Sequence, residues 1–197
     1  MLGTHVTVVS GLPRSGTSML MRMIEAGGVA VLSDGVRRAD EDNPRGYYEW
    51  EAAKLLPDQA EWLAQARGRV VKVISALLDR LPSNEQYRVV FLERDIVEVL
   101  ASQRRMLERR GQPTDRVSDE MMAAGFRKHV LTVLGRVRER PEMQLLVLAH
   151  ADVMASPAAA AQRLDDFLGG GFDREAMANA VDSALWRQRG SALVGRR

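Results

Sequence analysis

The chain has 197 residues, enough for one domain of good size or two small ones, and 46% apolar residues supply a sizeable core. A net charge of +2, with 27% charged residues, gives no bulk-charge reason to expect nucleic acid or a membrane as partner. The absence of cysteine excludes disulfides, thiolate catalysis and zinc–thiolate sites, and His5, His129 and His150 lie too far apart in sequence to suggest a metal cluster. Nearly all basic residues are arginine; lysine occurs only at Lys54, Lys72 and Lys128. The first apolar stretch is short and runs into a glycine-rich loop, so no leader is expected. No run approaches the roughly 18 apolar residues of a membrane span, and the expected location is the cytoplasm.

In chain order, His5–Ser10 reads as a buried, β-branched strand. Thr17 to about Ala26 reads as a helix with Met19, Leu20, Met23 and Ile24 on its apolar stripe, stopped by Gly27-Gly28. Val29–Leu32 is a second short strand, and 33–49 is polar and turn-rich. Trp50 to about Ala66 reads as a helix interrupted near Pro57. Strands follow at Arg69–Ile74 and Tyr87–Leu92. Asp95 opens a helix to about Arg110, with Glu98 completing a capping-box pattern, and Ser118 opens another to about Arg140. Gln144–Leu148 is a strand, Pro157–Leu168 an amphipathic helix stopped by three glycines, and Asp173 to about Ala184 a last helix. Apolar strands alternating with helices predict an α/β fold with a parallel sheet of about four or five strands, covered on both faces, in one domain over 1–197.

Ligands of such sheets sit beyond the carboxyl ends of the strands. After the first strand, Gly11-Leu12-Pro13-Arg14-Ser15-Gly16-Thr17-Ser18 has the frame of a phosphate-binding loop, G-x-x-x-x-G-K-[ST], with Thr17 in the lysine position. Its backbone N–H groups and the helix dipole suit an anion; Arg14 adds charge, and Thr17 and Ser18 add hydroxyls. Lys72 lies in the apolar run Val70–Ile74, where it either faces water on an edge strand or points its ammonium at the anion. Arg94 follows the fourth strand, and Ser102 stands eight residues later.

Together these residues resemble the PAPS-dependent sulfotransferases, PAPS being 3′-phosphoadenosine 5′-phosphosulfate. Residues 11–18 look like that family's 5′-phosphosulfate loop, and Arg94 with Ser102, spaced R-x₇-S, looks like its 3′-phosphate motif. Val147 to Phe167 is similar to a late segment of bacterial members, with His150 where tyrosine is usual. Asp42-Asn43-Pro44-Arg45-Gly46-Tyr47-Tyr48-Glu49 is similar to an N-P-[KR]-G-aromatic-aromatic-E stretch of bacterial sulfotransferase-like proteins. The R-S-G-T loop form resembles the tyrosylprotein sulfotransferases.

The resemblance implies a P-loop NTPase-like three-layer sandwich and sulfuryl transfer from PAPS to a hydroxyl or amine, with no metal. It implies a donor site of Pro13, Arg14, Ser15, Gly16, Thr17, Ser18, Arg94 and Ser102, and cationic help from Arg14 and Lys72. An acidic base is implied in the loop after the first helix, with Asp34 first, Glu49 next, and Asp40, Glu41 and Asp42 sharing the region. Tyr47, Tyr48 and Trp50 are candidates for an acceptor pocket or for a hydrophobic anchor. Trp186-Arg187-Gln188-Arg189-Gly190 is faintly similar to a late R-K-G-type loop that contacts the 3′-phosphate; a basic tail is the other reading. A small-molecule or peptide acceptor is expected, with no nucleic acid or membrane partner; the oligomeric state is not encoded legibly. Two other readings stay open: a P-loop kinase or NTPase with a degenerate loop, and a non-catalytic nucleotide-binding relative.

Overall fold

The structure is a computed structural model that describes residues 3–56, 58, 60–114 and 117–186. Five strands form one all-parallel sheet: β1 (Val6–Gly11), β2 (Val31–Leu32), β3 (Val70–Lys72), β4 (Tyr87–Glu93) and β5 (Met143–Ala149), in the order β2-β3-β1-β4-β5. β1 is central, with Val8 in register with Val71 on one side and Val89 on the other. The chain leaves β1 toward β3 and β2, then crosses back to β4 and β5. The carboxyl end of β1 is therefore the switch point of the sheet, where a crevice opens.

Alternation along the strands divides the core into two layers. Val6, Val8, Val71, Val89 and Phe91 face one side, against Val133, Leu134 and Val137 of α4 (Asp119–Glu139) and against Trp62 and Leu63. Val9, Val70, Val90 and Leu92 face the other, against Leu20, Met21 and Ile24 of α1 (Thr17–Ala26), Leu164 and Leu168 of α6 (Pro157–Leu168) and Met177 of α7 (Arg174–Asn179). This is the expected three-layer α/β sandwich. Each of these buried apolar side chains contributes on the order of 1.5–3 kcal/mol of transfer free energy.

α3 (Ile96–Arg109) opens as expected: the Asp95 carboxylate accepts from the backbone N–H groups of Val97 and Glu98. Ser118 caps α4 in the same way, accepting from Met121 N–H.

The interrupted helix expected over 50–66 is broken near Pro57 as read, but what remains on either side is shorter than expected. Glu51–Leu55 is a 3-10 turn, Leu56 is extended at φ −62°, ψ 142°, and α2 spans only Leu63–Ala66. Proline disfavours the helical region for the residue before it, which is Leu56. Its apolar residues are separate anchors, with Ala53, Leu56, Trp62 and Leu63 each buried. The last helix is also shorter than expected. α7 ends at Asn179; Arg22 Nε then binds the Ala180 carbonyl, and Asp182 caps a 3-10 turn over Ser183–Leu185. Two elements went unread in the sequence, a 3-10 turn at Ser75–Arg80 and the short α5 (His150–Ala155) that leads directly out of β5.

Candidate functional site

The loop between β1 and α1 is shaped by close approach. A Cβ on Gly11 would lie 2.7 Å from the Leu92 carbonyl oxygen and 2.5 Å from Ser15 Oγ. Gly16 sits at φ 99° directly before α1, and a Cβ there would lie 3.0 Å from Cδ2 of His150. Arg14 takes φ 73°, a left-handed conformation that costs a non-glycine residue about 1–2 kcal/mol. The strained turn throws the guanidinium over the carboxyl edge of the sheet and leaves the N-terminus of a ten-residue helix facing the crevice. Ser15 is 1% exposed, and its Oγ has no partner among the described residues. An enclosed polar atom of this kind is costly unless something else satisfies it.

A cavity of about 500 Å³ opens over this loop, with Arg14, Thr17, Ser18, Lys72, Arg94 and Ser102 on its walls. Pro13 and Gly16 also line the space, whereas Ser15 does not and lines a second cavity with Phe91 and Ala149. The other positions singled out from the sequence converge, with a second exception. Asp34 is exposed and is not on the cavity wall. One carboxylate oxygen accepts from Val36 N–H at 3.0 Å and the other from Glu51 N–H at 2.6 Å, so it ties two loop segments together. Glu49, the second acidic candidate, lines the cavity beside Lys72.

Glu49 is the hub of a cationic cluster. Arg37 lies 2.7 Å away, Lys54 2.8 Å and Lys72 3.9 Å. Burial would raise its pKa, but Lys54, Lys72 and Arg37 outweigh this and hold it below the ordinary glutamate value. Lys72, at the carboxyl end of β3, has a side chain only 10% exposed. Burial pulls its ammonium down to about 8. Its Nζ donates to the Tyr47 carbonyl.

Arg14 donates Nε–H to Ser102 Oγ at 3.0 Å and a terminal N–H to the Asp42 carbonyl at 3.2 Å. Ser18 Oγ donates to the Tyr47 carbonyl at 3.2 Å. Three side-chain donors of the crevice therefore end on carbonyl oxygens of one segment, 42–47. Asp42 is tied in turn to Arg109 of α3.

Arg94 follows β4. Its Nε donates to Glu98 at 2.9 Å and a terminal N–H to the Arg14 carbonyl at 3.1 Å. Glu98 thus does more than stand in the first turn of α3. His150, also at the cavity wall, is 5% exposed, and burial, with Arg94 nearby, pulls its pKa down to about 4, so it is neutral at physiological pH. Trp186 meets it edge-on, with ring centroids 5.6 Å apart.

Sequence reasoning missed the roles of Glu98, Trp186 and Glu49's three cations. The i,i+4 spacing of Arg94 and Glu98 was a legible signal for the first. Arg187, Gln188, Arg189 and Gly190 lie outside the described residues.

No protein-family model matches the sequence, and no curated protein matches it. The fold is matched by known structures. The chain aligns with mouse sulfotransferase SULT7A1 complexed with PAP at a TM-score of 0.59 and 14% identity, over 90% of this chain and 63% of that one. It aligns with the sulfotransferase domain of the Synechococcus PCC 7002 olefin synthase at 0.55 and 17% identity, over 94% and 80%.

The fold is that of the sulfotransferases.

Retinol dehydratase in complex with androsterone and PAP aligns at 0.50 and 18% identity, over 91% of this chain and 63% of that one. The chain therefore spans a little under two thirds of the longer sulfotransferase-fold structures. Among the described residues no helix is long and apolar enough to cross a membrane, and no group of three or more His, Asp or Glu is placed to hold a metal ion.

Proposed function

We propose that this chain transfers a sulfuryl group from PAPS to a hydroxyl or amine of a small-molecule or peptide acceptor. The observation that carries the reading is the pairing, in one crevice, of a glycine-bounded loop bearing Arg14 with the Arg94–Ser102 pair on the next element. One end suits a phosphosulfate and the other a second phosphate. The SULT7A1 and retinol dehydratase structures, both described with PAP, lend the fold-level support; androsterone in the latter is a precedent for a small acceptor.

In this reading the loop amides, that of Ser15 among them, and the hydroxyls of Thr17 and Ser18 hold the 5′-phosphosulfate. Arg94 and Ser102 hold the 3′-phosphate. In transfer, the bond from sulfur to the acceptor atom forms as the bond from sulfur to the 5′-phosphate oxygen breaks, and charge grows on that oxygen. Cations aimed there favour the transition state over the ground state; Arg14 and Lys72 fill that role. The acceptor proton passes to a carboxylate. Of Asp34 and Glu49, Glu49 is favoured because it lines the cavity beside Lys72 and is held ionised. Since Arg14 and Lys72 provide the charge, no divalent metal is required. One domain and a cytoplasmic location complete the reading.

Calorimetry with 3′,5′-ADP, the desulfated product of PAPS, tests it. Micromolar binding that persists in EDTA and is strongly weakened by Arg94→Ala is expected. No binding at micromolar levels, or magnesium-dependent binding of ATP instead, overturns it.

A further inference from the structure

We infer that Glu98 and Trp186 are positioning residues that set Arg94 for a 3′-phosphate and so give the crevice its preference for a 3′-phosphorylated donor. The inference rests on the sulfuryl-transfer reading above and adds residues to its specificity.

One carboxylate oxygen carries the arrangement. Glu98 Oε2 accepts from Arg94 Nε at 2.9 Å and from Trp186 Nε1 at 2.8 Å. The Arg94 and Glu98 side chains are each 8% exposed, so this ion pair is withdrawn from water. A buried pair recovers little net stability after desolvation, so its usefulness lies in fixing geometry. Arg94, Trp186 and His150 stand on the cavity wall and Glu98 does not. Glu98 therefore acts on a ligand only through what it holds.

The contacts close into a ring around the loop. Arg94 reaches the carbonyl of Arg14 at 3.1 Å, inside the loop. Trp186 meets His150 edge-on, and His150 packs against Gly16 at the loop's other end. Glu98 and Trp186 thus brace Arg94 against both sides of the phosphate loop, using segments 88 positions apart in sequence. A guanidinium recognises phosphate through a planar fork, so its plane decides the strength of the contact. With Nε fixed by Glu98 and one terminal nitrogen by Arg14, that plane is set before a ligand arrives. Pre-set geometry reduces the ordering cost of binding.

The test compares 3′,5′-ADP with 5′-AMP, which lacks the 3′-phosphate, by calorimetry on the full chain. Glu98→Ala is expected to weaken 3′,5′-ADP about tenfold, the scale of one charge-assisted hydrogen bond, and to leave 5′-AMP unchanged. Glu98→Gln, which keeps the shape, and Trp186→Phe, which keeps the ring and removes the donor, are expected to give smaller losses of the same selective kind. On an Arg94→Ala background the Glu98→Ala loss is expected to disappear, since the two act as one unit. Equal weakening of both nucleotides overturns the inference in favour of a merely structural role, as does an unchanged or improved preference for 3′,5′-ADP. If the unaltered chain binds 5′-AMP and 3′,5′-ADP alike, or neither, the functional reading itself fails, and that result is distinguishable because it needs no variant.

Discussion

Arg14 donates its Nε–H to Oγ of Ser102 over 3.0 Å, joining the loop after β1 to a helix 88 positions away. Ser102 is 5% exposed, so the bond is made out of water. The two ends of the crevice are thereby linked: a residue placed at the 5′ end holds one placed at the 3′ end.

Ser102→Ala removes the acceptor and leaves a half-buried guanidinium short of a partner. A single net hydrogen bond contributes about 1 kcal/mol, and one to a charged group more. Affinity for 3′,5′-ADP is expected to fall by about fivefold to tenfold, with the melting temperature changed by no more than a few degrees. Calorimetry and thermal melts check this. Unchanged affinity would remove Ser102 from the site.

Lys72 predicts opposite responses of activity and stability to alkali. Burial lowers its pKa from 10.5 to about 8. The ammonium is present below that value and lost above it, so sulfuryl transfer is expected to decline as pH rises through about 8. Stability runs the other way. Between about 8 and 10.5 the unfolded chain binds the proton that the folded chain has released, so folding gains with pH across that window. Lys72→Arg keeps its charge throughout and is expected to flatten the alkaline limb of the rate profile. Lys72→Met is expected to lower kcat by about a hundredfold or more while binding 3′,5′-ADP nearly as before. An alkaline limb that survives in Lys72→Arg would assign the titration to another group.

What the sequence disclosed follows from how local each signal is. The β1–loop–α1 unit was legible because the strand, both glycines and the helix stripe fall within 21 residues, Val6–Ala26. The Arg94 and Ser102 positions were legible through the resemblance to the sulfotransferases, whose R-x₇-S motif fits within one strand–helix junction. The segment 50–66 read as an interrupted helix, whereas Ala53, Leu56 and Leu63 each anchor separately to the same core layer. The choice between Asp34 and Glu49 was not legible, since the cations around Glu49 come from three separate segments at Arg37, Lys54 and Lys72. The i,i+4 spacing put Glu98 within reach of Arg94, but nothing local disclosed that Trp186, 88 positions on, donates to the same oxygen.

The segment 42–47 is expected to respond to the donor. Arg14, Ser18 and Lys72 all donate to its carbonyls in this structure. An anionic oxygen makes a stronger partner than a neutral carbonyl for the same donors. Binding of 3′,5′-ADP with sulfate is therefore expected to shift the hydrogen exchange of residues 42–48, read by mass spectrometry, while β4 and β5 stay protected. Exchange in 42–48 that is identical with and without ligand would mean that these donors never leave the carbonyls.

Gly11 offers the sharpest separation of fold from site. A Cβ there meets the Leu92 carbonyl at 2.7 Å, and a backbone atom of a central strand has little room to withdraw. It also meets Ser15 Oγ at 2.5 Å, the buried hydroxyl without a described partner. Gly11→Ala must therefore either spread β1 from β4 or push the loop off its turn. Overpacking of this kind costs about 1–3 kcal/mol, which for a chain of this size lowers the melting temperature by roughly 2–10 °C. The loop is the softer of the two, so nucleotide affinity is expected to fall further than stability alone explains, by at least tenfold for 3′,5′-ADP at a temperature where the variant remains folded. Gly28→Ala is the control. Its Cβ meets nothing within 4 Å, and its φ of 95° gives a backbone cost without touching the loop. It is expected to lose stability and keep its affinity. If Gly11→Ala and Gly28→Ala lose stability alike and both bind 3′,5′-ADP normally, the close turn at Gly11 serves packing and not the anion.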